Sequence, residues 1–368
     1  MSHHTTPPPH TSSKSDTTAL TNDLLIRCLE GQQVERPPIW LMRQAGRYLD
    51  EYRQIRKQFP DFLDLCHTPQ ATTELALQPV KRFDLDAAIL FSDILTIPHA
   101  LDLGLSFDAG QGPIISSPIQ TPEQVFSLPF DEVIDRCQYV FRAVRHLRMS
   151  LKQSLPLIGF AGSPWTLCCY SLQGKSCANF PQAKAFAYEH PVAMQELINQ
   201  LTQVIAVYLA EQAKAGADVL FIIDTWGSLL PYDHYELYVL EPLKQALKII
   251  RETHKIHQPI LFYSKGISLI HHGFFQSLPY NIGVAVDWTH QVGMVQKQFK
   301  NITVQGNLDP HVLLAGPVQT SQHTHAMLDS LADPHHHFIA SLGHGVLQQT
   351  PVESVHAFID AVRSYRQE

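Results

Sequence analysis

The chain is 368 residues long, 45% hydrophobic and 17% charged, so it can build a sizeable core and lies outside the composition range of disordered proteins. Its 27 Lys and Arg against 34 Asp and Glu leave a net charge of −7, which argues against a protein that mainly binds nucleic acid or anionic lipid. The 6 cysteines are too few and too irregularly spaced for a disulfide scaffold. With no apolar run of roughly 18 residues and no signal-peptide pattern, we expect a cytoplasmic protein without a membrane partner.

Residues 1–18 form a segment rich in Ser, Thr, Pro and His, without apolar periodicity. Such a segment cannot offset the entropy of ordering, so we predict a disordered tail. A transit peptide is the weaker alternative. The low content of acidic residues fits one, but the absence of arginine does not. Residues 19–368 show no linker or shift in composition and are predicted to form one catalytic domain.

Short apolar runs recur along that domain, each followed by a polar turn and a longer segment of helical spacing. Most are continuously apolar, which is typical of strands covered on both faces. The predicted strands span 39–42, 87–91, 155–160, 218–223, 259–263, 283–288, 302–308 and 337–342. Their number and spacing favour an α/β fold, a single distorted (β/α)8 barrel of the TIM type, over the alternative of a doubly wound open sheet.

Three helices and one insertion are distinct in the pattern. Helices are predicted over 190–215, 232–254 and 351–366, the last with Thr350 as cap and Pro351 as its first residue. Residues 100–128, after the second strand, are rich in Gly, Pro and Ser and predict a β-hairpin insertion and not a helix.

In a βα barrel the active site lies at the carboxyl ends of the strands, so the residues after each run are the candidates. Polar side chains cluster there. In chain order they include Arg43, Gln44, Arg47, Ser92, Asp93, Ser163, Asp224, Thr225, Ser264, Lys265, Asp287, Asp309 and His344.

Arginines and a carboxylate stand out in this set. Arg43 and Arg47 are four residues apart and would share one face of a helix, a spacing suited to binding carboxylates or phosphates; the competing interpretation is a solvated helix face. Asp93 follows a buried strand, where an unpaired charge is costly, so it either binds a partner or caps a helix. His344 lies between two glycines and is a candidate ligand contact or an ordinary core histidine.

Several familiar chemistries lack their motifs. Residues 173–176 imitate half of a P-loop, but Cys169 occupies the position of its first glycine, and there is no GxGxxG fingerprint. There is no HExxH, no His-x-Cys pair and no GxSxG elbow. The reaction is therefore expected to need neither a bound metal nor a dinucleotide.

The motifs together resemble those of the uroporphyrinogen decarboxylase family. The segment 38–48, PIWLMRQAGRY, is similar to the family's N-terminal signature, and 159–167, GFAGSPWTL, to its second. The matching motifs that follow are FSDIL (91–95), DTWG (224–227), YSKG (263–266), DW (287–288), GNLDP (306–310) and LGHG (342–345). The resemblance covers about residues 20–368.

This resemblance implies a cofactor-free homodimer that converts the four acetate side chains of uroporphyrinogen III to methyls, giving coproporphyrinogen III. It implies catalytic roles for Asp93, Arg43 and His344. The substrate-binding positions it implies are Arg43, Gln44, Ala45, Arg47, Phe91, Asp93, Tyr170, Thr225 and His344. An electron-rich pyrrole protonated on a ring carbon is its own electron sink, so the protein would supply electrostatic stabilisation, with Asp93 facing the pyrrole N–H groups.

The proton donor stays open among a substrate carboxylic acid, His344 and water held by Arg43. Two alternative functions remain. One is a related barrel that transfers methyl groups to a corrinoid or thiol, which bound zinc would favour; the other is a porphyrin-binding protein that lost the chemistry.

Overall fold

The computed structural model describes residues 20–108, 112–265 and 271–366, so the predicted tail lies outside the described residues. The strands are β1 (Ala88–Ile89), β2 (Leu105–Asp108), β3 (Gly112–Ile115), β4 (Leu157–Gly162), β5 (Val219–Asp224), β6 (Ile260–Ser264), β7 (Ile282–Ala285), β8 (Val304–Leu308) and β9 (Phe338–Leu342). A seven-stranded sheet has the order β1-β4-β5-β6-β7-β8-β9. All its neighbouring strands are parallel.

Helices fill the connections between these strands, as parallel crossovers require. They are α1 (Leu24–Leu29), α2 (Asp50–Arg56), α3 (Phe62–Cys66), α4 (Pro69–Phe83), α5 (Thr96–Ala100), α6 (Pro122–Phe126), α7 (Val133–Arg136), α8 (Gln138–Leu151), α9 (Pro164–Gln173), α10 (Pro181–Glu189), α11 (Pro191–Ala215), α12 (Tyr232–Tyr235), α13 (Glu241–Lys248), α14 (His272–Ser277), α15 (Val292–Gln298), α16 (Pro317–Asp329) and α17 (Val352–Ser364). No helix in the described ranges is long and apolar enough to cross a bilayer.

The sheet curls until the segment around Ile39 joins its two edges. Ile39 forms a parallel bridge with Ala340 of β9, and its carbonyl accepts the N–H of Asp86, just before β1. The strand order follows the chain without the reversal of a doubly wound sheet. The barrel prediction is therefore confirmed.

The prediction of a strand over 39–42 is wrong, because side chains form hydrogen bonds with the backbone groups that would otherwise pair with neighbouring strands. Pro38 has no N–H. The N–H of Ile39 donates to the Asp86 carboxylate at 2.8 Å, and the carbonyl of Trp40 accepts the hydroxyl of Ser341 at 2.8 Å. The segment closes the barrel through these bonds and a single bridge.

The other seven strand predictions are confirmed with shifted ends. Every residue of β5 is buried, as in a strand covered on both faces. Its Phe221 ring meets the Trp40 ring edge-on inside the barrel, with centroids 5.5 Å apart. Apolar contacts of this kind fill the barrel interior and leave polar side chains for its ends.

The three predicted helices form, with two corrections. Helix α11 ends at Ala215 and is capped by Gly216, whose φ of +117° suits the left-handed residue after a helix. The predicted helix 232–254 contains α12 and α13, with π-helical turns over Glu236–Leu240 and Ile249–Thr253. Thr350 does not cap α17: Pro351 occupies the N-cap position, and the buried hydroxyl of Thr350 has no hydrogen-bond partner among the described residues.

The predicted hairpin insertion is confirmed as β2 paired antiparallel with β3. Its prediction excluded a helix anywhere in 100–128, which is wrong at the end, because Pro122–Phe126 forms α6 behind a Thr121–Gln124 capping box. The N–H of Ile115 donates to the Gly174 carbonyl at 2.6 Å. The hairpin is thereby attached to the loop after α9.

Candidate active site

The candidate site lies at the end of the barrel where the strands finish, here called the mouth. Asp93 follows β1, Thr225 follows β5 and His344 follows β9. Since all strands of the sheet are parallel, their carboxyl ends meet at this one end. The fold thereby collects residues as far apart in the chain as Asp93 and His344, which are 251 positions apart.

Arg43 belongs to a turn and not to a helix. Its φ is +60°, and α2 begins only at Asp50, so the predicted shared helix face of Arg43 and Arg47 is wrong. The carbonyl of Met42 accepts the N–H of Val346 at 2.9 Å, which joins this turn to the loop of His344. Both arginine side chains are exposed, and neither forms an ion pair within the described ranges.

Asp93 is a half-buried carboxylate with one backbone partner. Its Oδ1 accepts the N–H of Leu95 at 2.8 Å, the local bond of an aspartate that caps a turn. Burial raises the pKa of Asp93, against the smaller opposing effects of the Leu95 bond and the charge of Arg43. Part of the acceptor capacity of Asp93 therefore remains for a donor that enters the mouth.

His344 is held as a neutral imidazole. Burial, then the charges of Arg43 and Lys265, lower its pKa from 6.5 to about 3. Its ring meets that of Tyr263 edge-on at 5.9 Å, and the Tyr263 hydroxyl donates to the Gly343 carbonyl at 3.2 Å. At neutral pH one ring nitrogen of His344 donates a hydrogen bond and the other accepts one.

Tyr170 faces the same charges. Its buried ring packs edge-on against Phe180 and Trp226, with centroids 5.3 and 6.4 Å away. Burial raises the pKa of its phenol, and the charges of Asp93 and Arg43 act on it as well. Tyr170 therefore stays protonated and able to donate a hydrogen bond.

The predicted contact Phe91 belongs to an aromatic cluster near Arg47. The ring of Phe91 lies 5.8 Å from that of Tyr52 and 6.0 Å from that of Phe62, and the charge of Arg47 lowers the pKa of Tyr52 against its burial. This places Arg47 beside an aromatic wall.

Gln44 is the predicted residue whose side chain is already used. It is fully buried, its Oε1 accepts the N–H of Leu41 at 3.2 Å, and its Nε2 donates to the Ala87 carbonyl at 3.2 Å. Ala45, the next residue, is half-buried. The backbone of Gln44 is engaged as well, since its N–H donates to the Leu41 carbonyl at 3.0 Å and its carbonyl accepts the Tyr48 hydroxyl at 2.7 Å.

Asp224 organises the mouth, a role that its place among the predicted strand-end candidates did not distinguish from the others. Its buried carboxylate accepts the hydroxyls of Ser163 at 2.9 Å, Thr166 at 2.8 Å and Ser264 at 2.7 Å. Burial raises its pKa in spite of these bonds. The hydroxyl of Thr166 also accepts the N–H of Thr225 at 2.9 Å. This network fixes the ends of three strands, and its only sequence signal is that polar residues follow each strand.

No group of three or more His, Cys, Asp or Glu side chains within the described ranges is arranged to hold a metal ion. The charge of Arg43 instead acts on the Asp93 carboxylate, the Tyr170 phenol and the neutral His344 imidazole. Such groups can bind carboxylates and stabilise a cation between them.

A family model described as "Uroporphyrinogen decarboxylase (URO-D)" matches residues 20–365. The chain belongs to the uroporphyrinogen decarboxylase family. A curated relative of that name from Dichelobacter nodosus is 45% identical over 351 residues, covering 93% of this chain and 97% of the relative. Another, from Nitrosococcus oceani, is 40% identical over 348 residues, covering 93% and 96%. The resemblance found in the sequence is confirmed.

Among solved structures, a methyltransferase from Methanosarcina mazei superposes with a TM-score of 0.77, covering 94% of this chain and 98% of that chain. Its sequence identity is 16%, so the likeness concerns the fold alone. It agrees with the barrel described above.

Proposed function

We propose that this protein decarboxylates uroporphyrinogen III, converting its acetate side chains to methyl groups and giving coproporphyrinogen III and CO2. Family membership over residues 20–365 supports the reaction. The observation that carries it in the structure is the half-buried Asp93 carboxylate facing Arg43 at the barrel mouth. Polar groups that could bind a polycarboxylate surround this pair.

The chemistry requires a place for the electrons of the broken bond. A proton adds to a ring carbon of the pyrrole, and the ring becomes a cation. The bond between the side-chain CH2 and the carboxylate then breaks, CO2 leaves, and the bonding pair moves into the ring. Proton addition at the exposed CH2 and proton loss from the ring complete a methyl group, so each acetate consumes one proton.

Asp93 stabilises that cation. Its free lone pairs accept the pyrrole N–H groups, and its negative charge is fixed before the reaction starts. In a half-buried mouth this charge acts through less water than it would at the surface. Asp93 is therefore the residue whose loss removes most of the rate.

Arg43 and Arg47 bind carboxylates of the substrate, with charge-assisted bonds of roughly 1.5–3 kcal/mol each. Tyr170 and Thr225 donate hydroxyl hydrogen bonds, and Phe91 supplies an apolar contact. Gln44 and Ala45 lie between the two arginines and belong to the same binding turn. His344, neutral at the pH of the reaction, donates an N–H to a carboxylate and is a poor proton source, because its pKa is about 3.

We also propose that the protein works as a cytoplasmic homodimer. The family relationship supports this assembly, and the net charge of −7 speaks against nucleic acid and anionic membranes as partners. Sedimentation of the purified chain at micromolar concentration tests the dimer directly: a single species of monomer mass would overturn it.

The test of function is anaerobic incubation of the purified protein with uroporphyrinogen III, without added metal or nucleotide, followed by chromatography of the oxidised products. We expect porphyrins with seven, six, five and four carboxylates to appear in turn. Unchanged octacarboxylate from folded protein would reject the activity. The methyltransferase alternative rests on a fold likeness alone and would then be tested by metal analysis.

A further inference from the structure

Lys265 lies at the mouth and is held by its backbone. It follows β6 directly, is half-buried, and its N–H donates to the carbonyl of Asp224 at 3.0 Å. The same Asp224 anchors β4, β5 and β6 through its carboxylate. The position of Lys265 therefore follows from the network that fixes the strand ends, and its side chain is not needed to maintain it.

The ammonium of Lys265 forms a cation–π contact and no ion pair within the described ranges. Its Nζ lies 5.6 Å from the ring centroid of Trp288, which follows β7. Within the described ranges, no carboxylate oxygen lies within 4.0 Å of this nitrogen. Two carboxylates of the mouth are already engaged, since Asp224 accepts three hydroxyls and Asp287 accepts the N–H of Thr289.

Other half-buried cations have partners that compensate for their lost hydration. Arg36 and Arg148 are each paired with an aspartate at 2.6 Å, and Arg251 donates to the carbonyls of Ile256 and Gln258 at 2.8 Å. A half-buried cation without such a partner loses hydration and gains little in return, unless a ligand supplies the anion.

The charge of Lys265 also extends to a residue that the substrate is expected to contact. Its charge acts on the His344 ring, as does that of Arg43. A neutral hydrogen-bond donor that feels two cations is a favourable place for an anion.

We propose that Lys265 is a further substrate-binding residue, whose ammonium, resting on Trp288, takes a carboxylate of the tetrapyrrole beside His344. This proposal rests on the proposed function, since it requires a polycarboxylate in the mouth. It assigns Lys265 to binding and not to proton transfer.

The test compares Lys265→Met, which removes the charge, with Lys265→Arg, which keeps it. Binding of uroporphyrin III, an unreactive octacarboxylate, is followed by quenching of tryptophan fluorescence, and turnover of uroporphyrinogen III is measured in parallel. For Lys265→Met we expect Kd and KM to rise about tenfold while kcat changes less than about threefold. Lys265→Arg restores Kd to within about threefold of the unsubstituted protein.

Ionic strength separates a binding role from a structural one. If the ammonium binds a carboxylate, the increase of KM with salt is shallower in Lys265→Met than in the unsubstituted protein. Lys297→Met on the exposed surface of α15 is the matched control and leaves Kd, KM and salt dependence unchanged. Lys265→Gln provides a second neutral side chain if the methionine variant does not fold.

Two results would overturn the role of Lys265: unchanged Kd and KM in both neutral variants, or an arginine variant as impaired as the methionine variant. Porphyrin binding distinguishes this failure from failure of the proposed function. If the unsubstituted protein binds uroporphyrin III but releases no CO2, the function fails while the binding comparison still decides Lys265.

Discussion

The side-chain stem of Arg43 packs directly against the α-carbon of Gly345. A β-carbon placed on that glycine would lie 2.5 Å from Cδ and 2.7 Å from Cγ of Arg43, well inside van der Waals contact. The glycine after His344 therefore leaves the space in which the arginine lies, and the two loops define the mouth together.

Gly345→Ala is expected to lower kcat/KM at least tenfold while the free energy of unfolding changes by less than about 1 kcal/mol. The new methyl displaces Arg43, whose head is exposed and free to move, so the protein folds but its guanidinium leaves the mouth. Steady-state kinetics and urea unfolding measure the two effects. Gly273→Ala in α14, where a β-carbon meets nothing within 4 Å, is the control. A large loss of stability with normal kinetics would contradict the argument.

Asp93→Asn is expected to abolish turnover and to raise the free energy of unfolding at pH 7. Burial raises the pKa of Asp93, so the native state holds its proton to higher pH than the unfolded state, and stability falls as pH rises through that window. The asparagine keeps an acceptor for Leu95 and removes the charge.

The higher stability of Asp93→Asn should therefore be present at pH values above the raised pKa of Asp93 and disappear below about pH 3.8. Activity and thermal unfolding across pH measure it. Asp131→Asn, at an exposed aspartate, should change neither quantity. More than about a tenth of normal activity in Asp93→Asn would refute the role of the charge.

His344→Asn is expected to weaken the dependence of stability on pH. The native pKa of His344 is about 3 and the unfolded value about 6.5, so the unfolded chain alone binds a proton between these values, and stability is lost as pH falls. Each proton gives a slope of about 1.4 kcal/mol per pH unit.

Between pH 7 and pH 5 the variant should thus lose roughly 2 kcal/mol less than the unsubstituted protein, as measured by urea unfolding. His323→Asn, at an exposed histidine, keeps the original dependence. Equal pH dependence in His344→Asn and the unsubstituted protein would show that His344 titrates normally.

Asp86→Asn is expected to cost about 3 kcal/mol of stability, because it breaks a buried ion pair where the barrel closes. The carboxylate accepts Arg36 at 2.6 and 2.7 Å, the N–H of Ile39 at 2.8 Å and the amide of Asn22 at 2.8 Å. Urea unfolding measures the loss. Glu35→Gln, which removes the exposed partner of Arg27, should cost roughly 0–1 kcal/mol. Similar losses of stability in the two variants would contradict the claim that the buried ion pair contributes more than the exposed one.

The strands and the strand-end residues were predictable because both depend on local pattern. A continuous apolar run such as that of β5 is recognisable wherever it occurs, and in a parallel barrel the next polar residue must lie at the mouth. Asp93, Thr225 and His344 follow from that rule. Tyr170 lies within α9, away from a strand end, and only the resemblance pointed to it.

What sequence patterns missed depends on partners distant in the chain. The sequence pattern predicts a strand at Ile39, yet its N–H donates to a carboxylate 47 positions away in the chain. Gln44 reads as a site residue, yet its side chain is used by backbone groups of the core.

The sequence by itself determined the barrel, its order of elements and the family, because periodicity and motifs are properties of neighbouring residues. Only the tertiary structure decided which charges lie together and which histidine is neutral, because burial and electrostatic interaction depend on distance in space. The lowered pKa of His344 arises first from burial by the surrounding protein and then from the charges of Arg43 and Lys265, which are 301 and 79 positions away in the chain.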